Sequence, residues 1–273
     1  MRAFAACIAA CFAAASIPIG AAHAKTYALV SAIGSSLAYV KERAATGTHL
    51  EPYERTTLEV PDATLDAAAF RGLEQVVRQS DPEAKFVYLR LNPAELEGVS
   101  APRKGEVALG KLATAFERMP QRKDWDQIMV ITPRYVASER ERLGSKLQGI
   151  GIFVRPFNQG FMDPFGNIAS GAESATVSPS GEAGHASSFI APYFYVRTFV
   201  LDAATLEVLY TSERFDYQRI HDPKSDAIDI ERAVPPEKLG PMVEKFVETS
   251  TAKALREAVG EVTVGEPRVV RPH

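Results

Sequence analysis

The sequence predicts an α/β fold built on a mixed sheet, and three observations carry that expectation. In the first half, short apolar runs of strand character alternate with stretches of helical periodicity, the order that joins parallel strands. In the second half, two long strand-like runs, Phe189 to Leu201 and Leu206 to Tyr217, meet at a tight Asp202-Ala203-Ala204-Thr205 turn, which predicts antiparallel pairing. The chain then ends on an amphipathic helix with one apolar face.

The amino terminus stands outside that fold. Arg2 is the only charge in the first 24 residues, an apolar Ala-rich run extends from Ala3 to about Ile19, and Ala22-His23-Ala24 precedes Lys25. This is the pattern of a secretory signal peptide, residues 1–24, cleaved after Ala24. Both cysteines, Cys7 and Cys11, fall inside it, so the expected mature chain has none, which excludes thiol catalysis, disulfides and cysteine metal sites. The expected address is the periplasm of a double-membraned bacterium, with secretion as the alternative.

Thr26 to Ile33 reads as a strand, and after Gly34-Ser35-Ser36 the run Leu37 to Lys41 reads as its return, a predicted hairpin. Arg55 to Val60 alternates as a half-buried strand does, and Pro61 ends it. Leu65, Ala69, Phe70, Leu73, Val76 and Val77 recur at helical spacing, entered through Asp62 or Thr64 as cap and stopped before Asp81-Pro82. Phe86 to Leu91 is the next strand. Val107, Leu112, Ala115, Phe116 and Met119 define a second helix, weakened by Gly105 and Gly110, before the strand Gln127 to Thr132. Leu147 to Arg155 opens the antiparallel half. In the last helix, Pro241 suits the first turn, Met242, Val243, Phe246, Val247, Leu255, Ala258 and Val259 line one face, and Gly260 stops it. With no linker or repeat, residues 25–260 form a single expected domain, and 261–273 a short strand or a tail.

A formal charge of −3 and a pI near 6.0 give no basic field for nucleic acid. The expected mature chain has no apolar run near the length of a transmembrane helix. His49, His185, His221 and His273 are widely separated, and no phosphate-binding loop occurs, so no metal and no cofactor is expected. Gly149-Ile150-Gly151 reads as a strand whose glycines permit a bulge or a close backbone approach. Asp222, Asp226, Asp229 and Glu231 read as a solvated approach to a helix. Tyr193, Tyr195 and Phe199 alternate on one strand face and read as core.

Two features invite function. Residues 156–188 form a long loop without periodicity, rich in Gly, Ser and Ala, yet carrying Phe157, Phe161, Met162 and Phe165. It reads either as an insertion whose aromatics fold back on the core or as a surface for a partner, an envelope protein being the expected one. Gly34-Ser35-Ser36-Leu37 after a strand resembles the first block of the GDSL, or SGNH, esterases. That resemblance implies Ser36 as nucleophile, His221 as base and Asn167 as an oxyanion donor. Ser35 stands where the family has aspartate, and Gln218 stands three residues before His221 where it has the orienting carboxylate. A serine-rich turn explains the same four residues.

The hairpin from Phe194 to Tyr210, with Asp202-x-x-Thr205 and then Glu207-Val208-Leu209, resembles a turn of periplasmic assembly proteins, the TolB amino-terminal domain and the curli-secretion lipoprotein type. There the pattern is Asp-x-x-Thr-Gly; here Leu206 replaces the glycine. The resemblance covers most of the mature chain by pattern and about nine residues by motif. It implies binding to or assembly with envelope proteins and transfers no catalytic residue. The leading reading is therefore a non-enzymatic binding or assembly protein; the alternatives are a serine hydrolase centred on Ser36 and a small-ligand module with a pocket at the ends of the parallel strands. Nothing in the sequence specifies an oligomeric state.

Overall fold

The computed structural model describes residues 24–42, 53–61, 63–135, 147–156, 161–162, 168–169, 173–225 and 230–260. In chain order the first half contains β1 (Thr26–Ser31), β2 (Ser36–Glu42), β3 (Tyr53–Glu59), α1 (Thr64–Ser80), β4 (Lys85–Arg90), α2 (Ala101–Glu117) and β5 (Gln127–Pro133). The second contains β6 (Ile150–Arg155), the short pair β7 (Phe161–Met162) and β8 (Ile168–Ala169), β9 (Ser174–Val177), β10 (Ala183–Ala186), β11 (Phe189–Asp202), β12 (Val208–Tyr217), the single turn α3 (Ile230–Ala233) and α4 (Pro236–Ala258).

β1 is apolar on both faces because it lies between two layers of helices. Tyr27 and Leu29 pack with Leu65, Leu73 and Val77 of α1 and with Val247 and Leu255 of α4. Ala28 and Val30 face the other way, onto Ala108, Leu112 and Phe116 of α2. Each fully buried leucine or phenylalanine in these layers contributes roughly 1.5–3 kcal/mol. At the end of β1 the buried Ser31 hydroxyl donates to the buried Asp66 carboxylate at 2.5 Å, tying the strand to the first turn of α1.

The sheet is mixed, as the sequence predicts. β1 pairs in parallel with β4 and β5, and β5 pairs antiparallel with β11. β11 is 14 residues long, and its two halves take different partners along one edge. Val196 to Asp202 pair with β5, whereas Phe189 to Phe194 pair with β6. β12 runs along the opposite edge. β6 therefore continues the line of β5, and β2, which pairs in parallel with β6, continues the line of β1.

This corrects the predicted hairpin between β1 and β2. Gly34, at a φ of +83°, bends the chain without reversing it, and the Ala32 amide stays bonded to Ile131 at 2.9 Å. The return strand of β2 is instead β3, in antiparallel register from Ser36↔Glu59 to Glu42↔Tyr53. β3 is also mostly exposed rather than half-buried, because it is the outermost strand and its alternating residues have no layer to face.

The 156–188 segment is not loop throughout: β7 pairs with β8, and β9 with β10, both antiparallel. Gly-, Ser- and Ala-rich hairpins carry too few large side chains to show a period. Tyr193, Tyr195 and Phe199 are buried, as expected for core. The Asp202 turn is held by the Asp202 carboxylate, which accepts from the amides of Thr205 at 2.8 Å and Ala204 at 2.9 Å. Those bonds, led by the Thr205 amide, hold the carboxyl below its usual range. Leu206, which stands where the resembling family has glycine, adopts a φ of +62°.

Two expected helix starts move. α4 begins at Pro236, so Pro241 lies inside it and removes one intrahelical hydrogen bond. α1 takes Ala63 at its N-cap, with a φ of 63° and no side-chain cap; Thr64 is already helical, and Asp62 lies outside the described residues. Alanine is a poor N-cap and dislikes positive φ. Ala63→Gly is therefore expected to stabilise the fold by about 0.5–1 kcal/mol, seen as a melting temperature higher by about 1–4 °C.

Candidate binding cleft

Where β1 gives way to β2, the helices on the α1/α4 side do not cover the sheet completely. α1 starts only at Thr64, after Pro61, and α4 starts only at Pro236, preceded by Pro235. A cleft of about 590 Å³ remains between them, within the range of small-molecule sites. Leu37, Ile152 and Ile190 form its floor, Leu58 and Val60 one wall, and Val234, Leu239 and Val243 the other. Gly240, also on the lining, has no atom within 4 Å of where a Cβ would stand, so the α4 side is left open by the absence of a side chain.

One end of the cleft is polar. The Tyr39 hydroxyl donates to Glu231 Oε1, and Lys41 Nζ donates to Oε2 of the same carboxylate. Tyr39 and Lys41 lie on β2 and Glu231 on α3, so this group ties the last turn before α4 to the sheet. Both charged partners are about one-third exposed (33% and 32%), a setting in which an ion pair orients groups more than it stabilises the fold. Glu231 was expected as a solvated approach to a helix; it reaches back across the cleft instead. The neighbouring Asp222 is held below the usual carboxylate range, first by the Lys224 amide at 3.0 Å and then by the Lys238 ammonium at 3.1 Å. Asp226 and Asp229 lie outside the described residues.

The serine-hydrolase constellation is not assembled. Lys41 pairs with Val154, Val154 with Ile190, and Ile190 bridges Ile220, which puts His221 three strands across from the far end of β2. Ser36 begins β2. At about 3.3 Å per residue and about 4.8 Å per strand, the two side chains are roughly 20 Å apart, far beyond proton transfer. His221 Nδ1 is buried with no hydrogen-bond partner among the described residues, and Asn167 lies outside them. The separation arises because β1 and β2 form one continuing line rather than a hairpin.

Phe157 and Phe165 lie outside the described residues, and Phe161 and Met162 are described only as strand β7. Among the described residues no group of three His, Cys, Asp or Glu side chains comes together as a metal site, and no helix is long and apolar enough to cross a membrane. Sequence reading offers a pocket at the ends of the parallel strands but names none of the residues that line this cleft. Its signals are present in retrospect: Pro61, Pro235 and Pro236 stop the helices short, and Gly240-Pro241 removes bulk and a backbone bond at the start of α4.

No family model matches the sequence, and no curated protein matches it. Among solved structures, the chain is similar to one from Helicobacter pylori named as a neuraminyllactose-binding hemagglutinin homolog, at 6% identity and a TM-score of 0.28, covering 86% of this chain and 82% of that one. A likeness of that size carries no argument about what this chain binds.

Proposed function

We propose that the chain is an exported, non-enzymatic binding protein of the bacterial envelope, and that the cleft between β2, α1 and α4 takes up a small, largely apolar ligand. The observation that carries this is the cleft: a volume of about 590 Å³ lined mostly by apolar side chains with a few polar groups among them, the usual make-up of a ligand site. Its place supports the small-ligand alternative, since Leu37 lies just beyond the carboxyl end of the parallel strand β1. The wide separation of Ser36 from His221 favours binding over hydrolysis. The leader-like first 24 residues support export. The Asp202 turn supports the resemblance to periplasmic assembly proteins in one respect: position 206 has the backbone conformation that a glycine there would serve.

The test uses Nile red, a neutral dye whose emission rises in apolar surroundings, titrated onto the mature chain from Lys25. Saturable binding near one dye per chain is expected. Leu239→Trp, which adds bulk at the half-buried lip of the cleft, is expected to weaken binding at least about tenfold, a change of about 1.4 kcal/mol, with the melting temperature close to that of the parent. Unsaturable binding, or equal binding by the variant, would count against the cleft as the site.

A further inference from the structure

We infer that the cleft selects a small amphiphilic cation, an apolar body carrying one ammonium-type head. The inference rests on the cleft being the binding site, as proposed above.

Among the described residues, every charged side chain that lines the cleft is acidic: Glu59, Glu231 and Glu244. The nearest cations stand behind the lining rather than in it. Lys41 is engaged by Glu231, and Arg71 is shared, 3.5 Å from Glu244 and 3.0 Å from Glu248. The side chain of Glu59, at the end of the outermost strand, has no ion pair or hydrogen bond among the described residues. The lip therefore carries more negative than positive charge beside an apolar interior.

The consequence is a selection by sign. An anionic head entering with an apolar chain would meet carboxylates at the lip, where like charges repel at low salt. A neutral chain would gain only the transfer of its apolar surface. A cationic head gains that transfer and a partner for Glu59. Among the described residues Tyr39 is the single aromatic in the lining, and one ring makes no cage to favour a methylated head. A primary ammonium, which can also donate hydrogen bonds to a carboxylate, is the better match.

The experiment is calorimetric titration of the mature chain with decylammonium, decanoate and decanol, each kept below the concentration at which it aggregates. At about 20 mM salt decylammonium is expected to bind at least about tenfold more tightly than decanoate, and at about 300 mM salt the ratio should shrink several-fold, because screening weakens the charge term and leaves the apolar term. Glu59→Lys should cut the low-salt ratio at least about threefold with an unchanged melting temperature, since Glu59 is exposed on an edge strand. Glu244→Gln should act in the same direction.

Equal binding of the cation and the anion at low salt would overturn the inference while leaving the cleft as a site for apolar chains. A preference for decylammonium untouched by both variants would overturn it too, by placing the cation elsewhere. Saturable binding by none of the three probes would overturn the cleft reading itself.

Discussion

Gly151→Ala is expected to destabilise the fold by about 3 kcal/mol, which for a domain of this size lowers the melting temperature by about 6–12 °C. Gly151 sits in β6 between Ala38 of β2 and Tyr193 of β11. A Cβ there would overlap the Ala38 carbonyl oxygen and come within 2.5 Å of the Tyr193 hydroxyl. The first obstacle is backbone and cannot step aside without loosening the β2–β6 ladder. The second is a ring that is 1% exposed, whose hydroxyl donates to the Gln148 carbonyl at 3.4 Å and is pushed well above the usual phenol range by burial. Urea denaturation and near-ultraviolet circular dichroism check this together: the midpoint should fall and the tyrosine signal should weaken. An unchanged midpoint would mean that β2 and β6 are not packed this closely. Because Ile152 floors the cleft, ligand binding should weaken in the same variant.

Gly72→Ala is expected to cost about 2 kcal/mol, or about 4–8 °C in melting temperature, although alanine is the better helix former. In α1 the exchange alone would gain about 1 kcal/mol. Here a Cβ would overlap the Glu248 carbonyl oxygen of α4 and lie 2.9 Å from Thr251 Cβ and 3.1 Å from the Ala252 nitrogen. All three atoms belong to the rigid part of α4, so the helices must separate along the contact that carries Leu73, Val77, Val247 and Leu255. Gly110→Ala in α2 is the matched control. Its Cβ meets nothing within 4 Å, and the same exchange should raise stability by about 0.5–1 kcal/mol. Opposite signs in the two variants would show that packing decides the first. A rise in both would mean that α1 and α4 do not cross at Gly72.

The elements that the sequence reveals best are those whose evidence is local. The apolar period of Leu65, Ala69, Leu73 and Val76 marks α1, and the two-faced apolar run from Tyr27 to Val30 marks a strand between layers. The Asp202 turn is legible because a carboxylate that can accept from the two amides ahead of it favours that turn wherever it occurs. The reading of Gly151 as a place of close backbone approach holds, since an ordinary strand gains nothing from glycine unless another group needs the space; Gly149 instead precedes β6 at a φ of +63°, a turn position rather than a strand one.

The residues that line the cleft and meet at its edge were not legible. Glu231 meets Tyr39 and Lys41 across about 190 residues of sequence, and no local pattern encodes such a meeting. The predicted hairpin failed for a related reason. Short apolar runs on either side of Gly34-Ser35 are compatible with a return or with a continuation, and the choice depends on where β5 and β6 lie.

By itself, then, the sequence determined the α/β character, the positions of most helices and strands and the tight turn at Asp202, because each follows from side-chain period or turn chemistry within a few residues. Only the tertiary structure decided that β1 runs on into β2, that Ser36 and His221 stand apart, and that α1 and α4 stop short of covering the sheet. The first two outcomes depend on β11, whose 14 residues bind β5 with one half and β6 with the other. Strand pairing is settled by the summed burial and hydrogen bonding of segments far apart in the chain, a quantity that no single stretch of sequence contains.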